Sequence, residues 1–401
     1  MPLKRANGIV ANLLLMTGSA VAALYVLEIA LSVTEGGGPA RGQRTPVVDP
    51  RRDPRDRMQV TEDLRANGVE AYPSLVPRMW VPSDGLDNGA RRLFPLSSRA
   101  NSVTVFCRRR ADGQYTVYES DGQGFNNPPG TWQDSAPEVV LIGDSFAQGH
   151  CVRPGRDVGG LLRGLGVRVV NLGMSVSGPL IELGILSEYA KGLKPVTVFW
   201  LYFEANDLRN LVFERSSAVL RGYLTGDVDQ RLLERREEID LALEFYVARL
   251  HTERRAGAPA TLPARGSSVI PTLKLWRVRS RLGLTRRGPG FPLGTLGQFH
   301  EILARAQSVT ESWGGRLVLV YLPDRRRYFQ GPADDDLYGR ASVLEVVARQ
   351  GISVVDVHKV FSRESDYERL FAAPEVDTHY SEYGYAVVAR ALHAHLGSRH
   401  D

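Results

Sequence analysis

Short, nearly continuous apolar runs alternate with amphipathic stretches over the later two thirds of the chain. Val139–Ile142, Val167–Asn171, Val196–Phe203, Arg316–Leu322 and Ile352–Val357 have the length and β-branched content of strands buried on both faces. Val158–Leu165, Leu180–Gly192 and the stretches around Gly297–Trp313 and Ala341–Gln350 read as the helices between them. This alternation predicts an α/β fold, a parallel sheet covered on both faces. Ligands in such sheets bind beyond the carboxyl ends of the strands, so the loops after Ile142, Asn171, Phe203 and Val357 are where chemistry is expected.

Three stretches break the rhythm. Ile9–Leu31 is apolar for about 23 residues, enough to cross a hydrocarbon core of about 30 Å, with Glu28 its one charge near the far end. Lys4 and Arg5 precede it, so the positive-inside rule keeps 1–8 cytoplasmic, makes 9–32 a transmembrane anchor and sends the rest across the membrane. A cleaved signal peptide is the competing reading, but the run exceeds the usual length of about 7 to 15 residues. Both readings place the protein outside the cytoplasm, in the periplasm if the source is a Gram-negative bacterium.

Residues 33–100 are expected to be a tether and irregular arm, with Gly36–Arg57 too poor in large apolar residues to fold alone. In 101–135, Val103–Phe106 and Tyr115–Tyr118 flank an AspGly turn, predicting a β-hairpin arm. Residues 136–398 form the main domain, with a helical insertion at about 211–296. Within it Leu232, Leu233, Ile239, Leu243, Tyr246 and Leu250 give one apolar side to a charged helix. A solvated helix and a lid or docking surface are the two readings of that segment.

Composition narrows the class little further. The 401 residues are 43% hydrophobic and 24% charged, which suits a globular protein with an attachment. The net charge of +5 is spread over small clusters such as Arg108–Arg110 and Arg325–Arg327, without a nucleic-acid motif, so no nucleic-acid partner is expected. Cys107 and Cys151 are the only cysteines; an oxidising compartment favours a disulfide between them over two unrelated buried thiols. They lack the paired spacing of a structural zinc site, so neither metal nor cofactor is expected.

The chemistry lies at the strand ends. GlyAspSer at 143–145 directly follows the first apolar run, which places Ser145 in a strand-to-helix turn with its N–H available to an oxyanion. The lipase-type GxSxG elbow is absent. AsnLeuGlyMetSerValSerGlyPro (171–179) ends the second strand, and TyrPheGluAlaAsnAspLeu (202–208) the third. AspThrHis at 377–379, just before the last helix, supplies a carboxylate able to orient an imidazole that takes the proton of Ser145.

In this order the four elements resemble the SGNH, or GDSL-type, hydrolase superfamily over about Glu138–Leu396. The resemblance implies a three-layer sandwich with Ser145, Asp377 and His379 as catalytic residues. It also implies an oxyanion hole formed by Ser145, Gly178 and Asn206, with Gly178 preferred to Gly173. Two positions depart from the family pattern: Glu204 stands where glycine is usual, and Thr378 alone separates Asp377 from His379. That shorter element resembles the branch containing the alginate O-acetyltransferases, in which the Asp–His element precedes the serine.

The expected function is therefore a membrane-anchored serine esterase or O-acyltransferase working through an acyl-enzyme on Ser145. Its expected substrates are O-acetyl groups of cell-envelope or secreted polysaccharide, with polysaccharide-export or acyl-donor membrane proteins as further partners. A non-catalytic glycan-binding or export scaffold is the alternative from another class. A lipid or thioester hydrolase is the third reading, prompted by the anchor.

Overall fold

The computed structural model of the chain describes residues 15–19, 21–28, 30, 53–87, 92–109, 112–133, 136–255, 275, 278, 292–329, 337–372 and 378–397. The chain divides into two compact units, residues 1–49 with 253–290, and residues 50–252 with 291–401. In the first unit 15–19 and 21–28 are helical, and Glu28 is fully buried, its Oε2 accepting the Val278 N–H at 2.9 Å. Residues 9–14 of the expected anchor lie outside the described residues. Among the described residues no helix is long and apolar enough to cross a membrane.

The second unit opens on helix α1 (Arg57–Ala66). A capping box starts it: Asp56 accepts the Gln59 N–H, and Gln59 Oε1 accepts the Asp56 N–H. Strand β1 (Ala71–Pro73) follows, then β2 (Leu86–Asp87) paired with β3 (Arg92–Leu93). Strands β4 (Val103–Arg108) and β5 (Tyr115–Glu119) pair antiparallel, and β1 joins β4 in parallel to complete a three-stranded sheet. The stretch expected to be irregular up to residue 100 thus carries α1 and β1 to β3. Residues 36–52 of the expected tether lie outside the described residues.

Five parallel strands form the main sheet: β6 (Val139–Gly143), β7 (Val169–Asn171), β8 (Thr197–Phe203), β9 (Arg316–Leu322) and β10 (Ser353–Asp356). Their spatial order is β7-β6-β8-β9-β10. Helices α2 (Ser145–Gln148) and α3 (Val158–Gly164) follow β6, and α4 (Pro179–Ile185) follows β7. Between β8 and β9 lie α5 (Asp207–Glu214), α6 (Ala218–Thr225), α7 (Arg236–Arg255) and α8 (Leu296–Glu311). Helix α9 (Arg340–Arg349) precedes β10, and α10 (Val357–Phe361) and α11 (Glu382–Gly397) come after it.

Strand β8 shows how the layers arise, because its successive side chains point to opposite faces. Val198, Trp200 and Tyr202 belong to one buried cluster, with Leu183 of α4, Leu303 of α8 and Val347 of α9. Phe199, Leu201 and Phe203 belong to the other, with Leu162 of α3, Phe361 of α10 and Val388 of α11. The insertion adds Leu220, Tyr223, Ile239, Leu243 and Val247 to the first cluster. The charged side of α7 faces solvent as its pattern predicts, while its apolar side is part of the core.

The chain leaves β6 toward β7 on one side and later returns to β8 on the other. Strand order therefore reverses between β6 and β8, opening a crevice beyond their carboxyl ends.

Candidate active site

The turn after β6 brings a serine into that crevice. Gly143 closes the strand at φ 153°, where an added Cβ would stand 2.8 Å from the Leu201 carbonyl oxygen of β8. Asp144 then caps α2, its Oδ1 accepting the Phe146 N–H at 2.9 Å. Ser145 is the first residue of that helix, where backbone N–H groups have no intrahelical acceptor. Its side chain is nearly buried, and its Oγ lies 2.9 Å from His379 Nε2.

His379 is placed by the segment leading into α11. Phe371 and Tyr380 form an antiparallel bridge, the Ala372 N–H donates to the His379 carbonyl at 3.0 Å, and the buried Tyr380 hydroxyl donates to the Pro323 carbonyl at 2.8 Å. The imidazole stacks on Phe146 at 4.8 Å between centroids and on His150 at 3.8 Å. Asp377 lies outside the described residues.

Asn206 stands just before α5, after β8, and its side chain donates through Nδ2 to Asp144 Oδ2 at 2.9 Å rather than capping the helix. Its Oδ1 is buried without a hydrogen-bond partner among the described residues. Burial pushes the Asp144 carboxyl above the usual carboxylate range, opposed by the Asn206 amide, the Phe146 N–H and the nearby His379 ring. Deeper carboxyls surround it. Asp207 accepts the Phe203 N–H at 2.8 Å and Glu182 accepts Trp200 Nε1 at 2.5 Å, and burial followed by the neighbouring carboxyls pushes both well up.

The loop after β7 packs against the serine's helix. A Cβ on Gly173 would stand 2.4 Å from the Gln148 backbone nitrogen, and the Ser175 N–H donates to Gln148 Oε1 at 2.7 Å. Gly178 corrects the expected oxyanion hole. Its N–H donates to Glu214 Oε1 at 2.5 Å, so that proton is already taken. Glu214 also accepts the Leu180 N–H at 3.0 Å, capping α4 from the end of α5. No sequence signal marks this cap, because the two partners lie 34 to 36 residues apart.

Cys107 of β4 and Cys151, just after α2, are joined in a disulfide with Cα atoms 5.5 Å apart. A ring nitrogen of His150 falls within 4.8 Å of the sulfurs, but sulfurs bonded to each other offer no thiolate, so we assign the cluster no metal.

Two further residues belong to the site region: Glu204, which the sequence marks only as a departure from the family pattern, and Arg327, which it does not mark. Glu204, in the place of the usual glycine, is fully buried and accepts from Arg327 Nε at 2.7 Å, Arg327 Nη2 at 2.7 Å, the Asp324 N–H at 2.6 Å and the Tyr321 hydroxyl. It ties the loop after β8 to the loop after β9. Arg327 belongs to a basic cluster that composition assigned to background charge, and charge count alone has no means of revealing a buried partner.

No family model and no curated protein matches the chain. Solved structures similar to it include a lipase/acylhydrolase from Enterococcus faecalis, at 16% identity and TM-score 0.36, covering 65% of this chain and 95% of that one. Another is LAE5, an alpha/beta hydrolase enzyme from the metagenome of Lake Arreo, at 16% identity and TM-score 0.36, covering 66% and 96%. A third is the acetylxylan esterase Axe2 of Geobacillus stearothermophilus, at 17% identity and TM-score 0.32, covering 64% and 93%. The functional reading rests on the site's own geometry.

Proposed function

We propose that the chain is an ester hydrolase of the SGNH type that forms an acyl-enzyme on Ser145. The observation that carries this reading is the 2.9 Å approach of His379 Nε2 to Ser145 Oγ at the reversal point of the sheet. His379 takes the Oγ proton as Oγ attacks the ester carbonyl. The oxygen that becomes negative meets the Ser145 N–H and Asn206 Nδ2, which has a second hydrogen beyond the one given to Asp144. His379 then passes its proton to the departing alkoxide. Water, or a sugar hydroxyl, next gives a proton to His379 as it attacks the acyl carbon, and His379 returns that proton to Ser145 Oγ as the acyl–Oγ bond breaks, restoring the serine and releasing the acid or the new ester. Asp377 has the role of orienting carboxylate, and Gly178 is not a donor.

The acyl group in this reading is acetyl, carried on a cell-envelope or secreted polysaccharide, and the domain works outside the cytoplasm behind an N-terminal anchor. The apolar run at 9–31 and the disulfide, a bond that persists in oxidising compartments, support that placement. Hydrolysis and transfer use the same residues and differ in which acceptor reaches the acyl-enzyme.

Intact-mass spectrometry of the chain after incubation with an activated acetyl ester tests the reading, wild type beside Ser145→Ala, with and without an oligosaccharide. The expected result is an acetyl adduct in the wild type alone. Discharge accelerated by the sugar, with acetylated sugar appearing, makes the protein a transferase, and discharge to water alone makes it an esterase. An equal adduct on Ser145→Ala removes the nucleophile assignment.

A further inference from the structure

His150 has no part in the chemistry described above, yet its ring stacks on that of His379, at 3.8 Å between centroids and 21° between planes. Three constraints fix it there. Its backbone N–H donates to the Ser145 carbonyl at 2.9 Å, so the turn that carries the serine also carries this imidazole. Phe106 of β4 meets the other ring system edge-on, 5.6 Å from the His150 centroid at 81°. The next residue, Cys151, is bonded to Cys107, the neighbour of Phe106, so β4 and the turn cannot separate while the disulfide stands.

We infer that His150 is a positioning residue for His379: it holds the imidazole plane so that Nε2 faces Ser145 Oγ, and its own charge state governs how readily His379 accepts the serine proton. This rests on the proposed role of His379 as base. Face stacking restricts rotation of the His379 ring, and an imidazole is free to turn if one face is open. A neutral His150 offers a π face to the imidazolium formed during acyl transfer. A protonated His150 places a like charge about 4 Å away and opposes it. Asp144, beside Ser145, is a carboxyl at the pair, Asp377 supplies the orienting carboxylate in the proposed reading, and the charges next along the same segments are Arg153 and Glu382, paired at 2.5 Å on the rim. The disulfide does not titrate.

The test is the pH dependence of kcat and KM on an activated acetyl ester for wild type, His150→Phe and His150→Ala, each confirmed folded by near-UV circular dichroism. His150→Ala is expected to lower kcat about 3- to 10-fold with KM little changed, the size of a lost ring contact. His150→Phe keeps a ring without a titrating nitrogen. It is expected to restore kcat at alkaline pH and to convert a two-proton acid limb into a one-proton limb. An unchanged kcat in His150→Ala, or a Phe variant with the wild-type acid limb, overturns the inference. If the wild type shows no Ser145-dependent turnover, the functional reading fails separately. The contact is then read by NMR titration of the His379 ring protons in wild type and His150→Phe, and superimposable curves overturn it.

Discussion

Asn206 is the residue on which the oxyanion reading turns, because Gly178 has given its N–H to Glu214. Its amide bridges Asp144 and the crevice beside Ser145, so Asn206→Ala removes a donor that acts on charge present only in the transition state. The expected loss is about 100- to 1,000-fold in kcat with KM nearly constant. A loss confined to KM removes the role. Glu204 makes a different demand, since its carboxylate is enclosed with Arg327, and both side chains are at most 1% exposed. Replacing Glu204 with the glycine usual in the resembled family removes the carboxylate enclosed with this guanidinium, at a cost of about 3–5 kcal/mol. Glu204→Gly with Arg327→Leu is expected to recover most of that stability in urea unfolding. Equal losses in the single and double variants contradict the pairing.

At the scale of elements, α4 begins without a local cap and takes one from Glu214, whose carboxyl receives the Gly178, Leu180 and Ile181 N–H groups. Burial outweighs those three bonds and lifts the carboxyl to about 7. The unfolded chain loses that proton near its ordinary value of about 4.5 while the folded chain keeps it, so stability falls as pH rises from about 4.5 to about 7 and is level above. The contribution is about 3 kcal/mol at most. Glu214→Gln is expected to lack this slope in urea titrations run across the interval, and parallel curves for the two proteins refute it. The same cap shows what sequence reading reaches. The five parallel strands were legible because both-face burial writes itself as unbroken apolar runs, and Ser145, Asn206 and His379 were legible because each follows such a run or precedes a helix. The β1–β4 pairing, the Gly178–Glu214 bond and the Glu204–Arg327 pair join residues 32 to 123 positions apart, and no local pattern encodes a partner at that distance. Helix α1 is the exception, since Asp56 and Gln59 spell a capping box that the low apolar content around it obscured.

Across the whole second unit, the three-stranded sheet and the five-stranded sheet are separate hydrogen-bonded systems that meet where the serine sits. Gln148 links them by side chain, its Nε2 donating to the Tyr118 hydroxyl at 3.0 Å while its Oε1 holds the loop after β7. Asn127 does the same from the loop after β5, donating to the Asn171 carbonyl at 2.8 Å. The covalent link is Cys107–Cys151, which closes a loop of 44 positions. Chain entropy alone assigns a loop of that length about 4 kcal/mol of stabilisation by restricting the unfolded state. Reduction is therefore expected to lower the urea midpoint markedly while the separate hydrogen bonds of each sheet remain. Because Cys151 adjoins His150, activity is expected to decline at lower urea concentration than the loss of the five-stranded sheet, as the smaller sheet loosens first. Activity and far-UV circular dichroism followed together in urea, with and without a phosphine reductant, separate the alternatives. Coincident transitions, shifted equally by reduction, mean that the two sheets unfold as one cooperative unit and that the disulfide stabilises the whole rather than the junction. An unshifted midpoint means that the bond contributes nothing to either.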